Sequence, residues 1–147
     1  MARIVIVSQS EDSRNKLFRL LTSSGFQVFR SCSSGSELRR ALSESEDCVV
    51  VMIGFTPDCK PDELMWDYKD SIQILLIAKQ PVLENIESPE IFRLTMPASG
   101  QAVIGAVEMR SAKMTRKRRS HDEQLETNVE ASRSAGPASS EGQRKEY

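Results

Sequence analysis

The sequence predicts an α/β fold, a three-layer sandwich around a five-stranded parallel sheet in the order 2-1-3-4-5. Two observations carry that expectation. Ile4-Val5-Ile6-Val7 and residues 48–53 and 72–77 are continuous apolar runs, the pattern of strands buried on both faces. Segments with apolar residues at helical spacing lie between such runs, so strand and helix alternate as in a βα-repeating parallel sheet. Right-handed crossovers then place helices on both faces of the sheet.

Ile4-Val5-Ile6-Val7 is the first strand. Ser10 with Glu11 and Asp12 has the hydroxyl and the first-turn acids of a helix N-terminus. Leu17, Leu20 and Leu21 repeat at helical spacing, and Gly25 stops that helix. Residues 26–29 alternate as a short second strand. Ser34-Gly35-Ser36 opens a second helix with Leu38, Ala41 and Leu42 as its apolar stripe. Residues 48–53 make the third strand, and residues 54–61, with two prolines and Asp58, read as loop.

A third helix of about two turns is expected over residues 63–68, where Leu64 and Trp66 are the larger apolar residues. Trp66 and Tyr68 are expected to pack, because large aromatics are buried on average. Residues 72–77 form the fourth strand. Within the crossover of residues 79–89 only residues 82–86 look helical, so this connection is short. Phe92, Leu94 and Met96 alternate as a fifth strand that ends at Pro97. Ser99 caps a last helix with Val103, Ala106, Val107 and Arg110 on one face.

After Met114 the character changes. Arg116-Lys117-Arg118-Arg119 is a basic run, and the final stretch is rich in Ser, Ala, Gly and Arg. The chain therefore divides into a folded domain over residues 1–112, a basic and polar helical linker over 113–131, and a tail over 132–147 expected to be disordered.

The 147 residues, 39% hydrophobic and 28% charged with a net charge of −1, suit a globular domain and supply no whole-chain field for nucleic acid or membrane. The apolar runs fall far short of the ~20 residues that span a bilayer. Met-Ala-Arg leads straight into a strand rather than a secretory leader, so a cytoplasmic location is expected. Cys32, Cys48 and Cys59 lack CxxC or Cys/His spacing, and are expected to be reduced thiols rather than a disulfide or zinc framework. There is no GxGxxG or GxxxxGKS motif to hold a nucleotide.

In an open α/β sheet the functional site lies at the carboxyl ends of the strands. The positions to inspect are Ser8-Gln9-Ser10, Met52-Ile53-Gly54, Ile77-Ala78-Lys79 and Met96-Pro97. Over residues 3 to 112 the chain resembles the receiver domains of two-component response regulators, which have a flavodoxin-like fold. The resemblance rests on the first apolar run, the Ser33-Ser34-Gly35 turn, the apolar third and fourth strands, and Met96-Pro97. Residues 87–99, ESPEIFRLTMPAS, and the short fourth crossover are similar to the receivers of ANTAR-type antitermination regulators of Firmicutes.

That resemblance implies a phosphorylation site: an acidic pair after the first strand for Mg²⁺, an Asp acceptor ending the third, a hydroxyl after the fourth, and a Lys before the fifth-strand proline. A hard cation wants oxygen ligands, and metal and ammonium charge stabilise phosphoryl transfer. Here the acidic pair falls on Ser8 and Gln9, with Glu11 and Asp12 two or three residues on. The acceptor falls on Met52, Ile53 or Gly54, the hydroxyl on Ile77 or Ala78, and the Lys on Met96, while Pro97 is kept. A degenerate pseudo-receiver is expected, with no catalytic residue, metal or cofactor.

Other candidates read more plainly. Asp58, the nearest carboxylate after the third strand, is expected to be a solvated turn residue rather than a displaced acceptor. Lys79 is expected to be a solvated cation, and His121, the only histidine, stands in a polar tail without a nucleophile motif. Arg116, Lys117, Arg118 and Arg119 read first as a solvated helix end, and otherwise as a weak, salt-sensitive RNA contact. The family resemblance implies a helical RNA-binding output module after the receiver, but nothing after Val129 has its apolar periodicity.

The expected function is thus signalling by protein–protein contact without phosphorylation, through a partner or a homodimer formed by the last helix and the fifth-strand face. An RNA-binding regulator acting through the basic run is the alternative. Met52 or Ile53 and Met96 are expected to fill the mouth of the former pocket, with Met96 against the end of the third strand.

Overall fold

The computed structural model describes residues 2–45, 47–54, 56–68 and 70–115. Most of the linker over 113–131, the tail over 132–147, the Arg116–Arg119 run and His121 lie outside the described residues.

β1 (Arg3–Val7), β2 (Val28–Cys32), β3 (Cys48–Ile53), β4 (Ile72–Ala78) and β5 (Phe92–Thr95) form one parallel sheet in the order β2-β1-β3-β4-β5. β1, β3 and β4 carry apolar runs because helices cover both of their faces. Val5, Val7, Val50, Met52, Ile74 and Leu76 point toward α2 (Gly35–Ser43), α3 (Pro61–Tyr68) and α4 (Gln80–Leu83). Ile4, Ile6, Val49, Val51, Leu75 and Ile77 point toward α1 (Glu11–Ser23) and α5, residues 100–115. The sandwich and strand order are those the sequence predicts. Among the described residues no helix is long and apolar enough to cross a membrane.

Local signals set the helix ends. The Ser10 hydroxyl accepts the Ser13 N–H at 3.2 Å, and the Ser34 hydroxyl accepts the Glu37 N–H at 3.2 Å. Gly25, at φ +93°, closes α1: its N–H reaches the Thr22 carbonyl and the Phe26 N–H reaches Leu21. The Ser99 hydroxyl caps α5 through Ala102 N–H at 3.1 Å, and Val103, Ala106, Val107 and Arg110 are buried on its inner face.

Several elements differ from expectation. The second strand is residues 28–32, not 26–29, because Phe26 is used in ending α1; β2 is an edge strand whose exposed Arg30 and Ser31 hide it from an apolar pattern. α3 begins at Pro61, which suits a first helical position. α4 is four residues from Gln80, with Pro81 in its first turn, rather than residues 82–86. Side-chain staples hold the rest of that crossover. The Asp62 carboxylate accepts the N–H groups of Glu87 and Ser88 at 3.0 and 2.9 Å, and the Arg93 guanidinium donates to the carbonyls of Ile86, Ser88 and Ile91, each at 3.0 Å.

β5 ends at Thr95, leaving Met96 beyond the strand. Trp66 is 81% exposed, contrary to expectation, while Tyr68 packs on the core. α3 buries Leu64 and Met65, and a residue two positions from Leu64 faces the opposite side of a helix.

Candidate functional site

The carboxyl edge of the sheet begins at Ser8. It is buried, its hydroxyl accepts the Ser10 N–H at 3.2 Å, and its N–H donates to the Cys32 carbonyl at 3.1 Å. The Arg14 guanidinium, from the first turns of α1, donates to the Ser8 carbonyl at 2.6 Å. A fixed cation therefore stands beside the residue after β1, a charge that opposes a second cation there. Sequence reasoning missed Arg14, although its position four residues after the Ser10 cap places it within one turn of the strand end. Gln9 is exposed, as are Glu11 and Asp12 in the first turn of α1, where Asp12 pairs with Lys16 at 3.4 Å.

The three candidate acceptor positions separate. Met52 is fully buried in the layer of α2 and α3. Ile53 is half-buried on the opposite face, in register with Ile77. Gly54 turns the chain out of the strand at φ +67°, a conformation that favours glycine, and its N–H donates to the Ile77 carbonyl at 2.8 Å. Ile77 and Ala78 are buried at the end of β4. The Met96 N–H donates to the Ala78 carbonyl at 2.9 Å, and the Met96–Pro97 peptide is cis.

Ile53, Ile77, Met96 and Pro97 come together with Leu17 and Leu20 of α1 and Val103 of α5 around a cleft of about 540 Å³. Ser8, Gln9, Met52, Gly54 and Ala78 are not part of its wall. The expected apolar character is present, but the mouth is open rather than filled. Met96 is 38% exposed beyond the end of β5, and Ala98 and Gly100, which complete that wall, carry too little side chain to close it. Lys79 is exposed, as expected, yet lines the same cleft together with Lys16.

Asp58 is exposed in a turn, as expected, and has a further occupation. Its carboxylate accepts the N–H groups of Gly35 and Ser36, which opens α2 from a distant loop. These bonds, led by that of Gly35, hold its carboxyl below the usual carboxylate range. Gly35 is required there, because a side chain at that position would run into Cβ of Cys59 and the Asp58 carboxylate. Glu37 works beside it, accepting the Ser33 N–H and hydroxyl at 2.6 and 2.9 Å, and its pKa is lowered by those bonds. Cys32, Cys48 and Cys59 are free and buried, and burial pushes the Cys32 thiol up to about 11. Among the described residues no three His, Cys, Asp or Glu side chains converge as a metal cage would need.

The fold is that of response-regulator receiver domains. The signal receiver domain of an HD domain-containing protein from Pseudomonas fluorescens Pf-5 superimposes with a TM-score of 0.69 at 19% identity, over 80% of this chain and 92% of that one. A response regulator receiver domain protein from Clostridium thermocellum gives 0.68 at 18% identity, over 78% and 98%. The response regulator StyR gives 0.75 at 20% identity, over 92% of this chain and 72% of that one. No family model matches the sequence. No curated protein matches it either.

Proposed function

We propose that this chain is a degenerate receiver module that signals through protein–protein contact without phosphorylation. One observation carries the reading: the strand ends where a receiver needs two carboxylates, an acceptor Asp and a Lys hold Ser8 and Gln9, one of Met52, Ile53 and Gly54, and Met96, with the Arg14 guanidinium on the Ser8 carbonyl. Phosphoryl transfer to a side chain needs an oxygen nucleophile and cationic support at the transferring group. None of Met52, Ile53 and Gly54 supplies an oxygen nucleophile, the Met96 thioether supplies no charge, and Arg14 occupies the side where a divalent ion would need anions. In this reading the chain is not an enzyme, and its domain runs over residues 1–112 ahead of a linker over 113–131 and a tail over 132–147.

The output is contact by the α5 and β5 face, either with a second copy or with a protein partner. Met109 on α5 is 60% exposed, and β5 is one of the two edges of the sheet, with Phe92 and Leu94 half-buried. A setting in transcription antitermination follows from the likeness of residues 87–99 to ANTAR-type receivers. The test is a titration with Mg²⁺ and beryllofluoride, followed by amide resonances. The resonances of Ile53, Gly54 and Ala78 should stay in place. Saturable shifts there would overturn the reading.

A further inference from the structure

We propose that the open cleft at the carboxyl edge of the sheet binds an amphipathic carboxylate, a molecule with an apolar body and one anionic end. Its volume of about 540 Å³ is ample for such a ligand, since small-molecule sites span roughly 300–1,000 Å³. The wall is apolar and built from four elements and the β5 end: Leu17, Leu20, Ile53, Ile77, Met96 and Val103. Leu17, Ile77 and Val103 are buried residues of the core, so this wall is anchored by the sandwich itself rather than by a surface loop. Water against these side chains finds no hydrogen-bond partner, and an alkyl or aryl body displaces it favourably.

Charge selects the other end of the ligand. Lys16 and Lys79 line the same cleft and no carboxylate does. Lys16 already pairs with Asp12, whereas Lys79 makes no ion pair among the described residues. A carboxylate entering with its body on the apolar wall gives the Lys79 ammonium a charged acceptor. A bare inorganic anion would leave the wall wet, and a cationic amphiphile would meet two like charges. This ligand site shares Ile53 and Met96 with the phosphorylation-free reading, but it is tested by binding without any phosphoryl donor or Mg²⁺, so failure of one is distinguishable from failure of the other.

The test is calorimetric titration of the full chain with decanoate below its micelle concentration, alongside decanol and decyltrimethylammonium, with methyl resonances recorded in parallel. One saturable site is expected, with shifts at Ile53, Ile77 and Val103. Decanoate should bind about tenfold more tightly than decanol, and Lys79→Ala should remove that preference. Met96→Asp, at an exposed position of the wall, should weaken decanol by loss of apolar contact and decanoate further by repulsion between the two carboxylates. Absence of saturable decanoate binding, equal affinities for decanoate and decanol in the unaltered chain, or shifts confined to other surfaces would overturn the proposal. Lys79 is exposed, so Lys79→Ala decides the charge preference even if Met96→Asp perturbs folding.

Discussion

The Asp58 carboxylate accepts the Gly35 N–H at 2.9 Å across 23 positions of sequence, and with the Ser36 N–H at 3.2 Å it opens α2 from outside the helix. Because the same groups lower its pKa, the charged form is favoured in the folded state. A carboxylate depressed on folding contributes stability above its unfolded value of about 4, and that contribution is lost as the pH falls through the lower folded value. Urea midpoints measured from pH 6 to pH 2 should therefore fall less steeply for Asp58→Ala than for the unaltered chain. At neutral pH the variant should be the less stable of the two, and an unchanged midpoint there would remove Asp58 from its role in α2.

Gly35 is the other half of that contact. A methyl group at residue 35 would meet Cβ of Cys59 and the Asp58 carboxylate, so Gly35→Ala should lose about 1–3 kcal/mol through overpacking. Alanine is normally the better helix former by about 1 kcal/mol. The sign of the change in urea denaturation thus separates close approach, which destabilises, from intrinsic propensity, which would stabilise.

Trp66 is the only tryptophan and is 81% exposed. Its fluorescence should be water-like in emission and freely quenched by acrylamide in the native state. Trp66→Gln should leave stability within about 0.5 kcal/mol, as for surface sites without special contacts. A blue-shifted, protected emission would mean that an interface covers this face of α3 in solution.

Most of the fold was legible because its signals are local or periodic. Apolar runs such as residues 48–53 name the central strands, and Ser10, Ser34 and Ser99 name helix starts through a hydroxyl one turn away. The apolar pattern puts β2 too early because an edge strand buries too little to carry the pattern, and its Arg30 and Ser31 are exposed. Trp66 was misread because average burial says nothing about which side of α3 faces the core. At the candidate site the residue types at the strand ends could be read directly. The contacts of Arg14 with Ser8 and of Asp58 with Gly35 could not, since each depends on how loops from separate elements meet. The open cleft was likewise invisible, because filling depends on side-chain volumes gathered from α1, β3, β4, the segment after β5 and α5 together.

The most direct measurement is incubation of the full chain with acetyl phosphate and millimolar Mg²⁺, followed by intact-mass analysis before and after hydroxylamine. With Ile53 and Met96 at the strand ends and Arg14 on Ser8, the expected result is an unmodified mass at every time point. A stoichiometric, hydroxylamine-sensitive phosphoryl adduct that requires Mg²⁺ would contradict phosphorylation-free signalling outright.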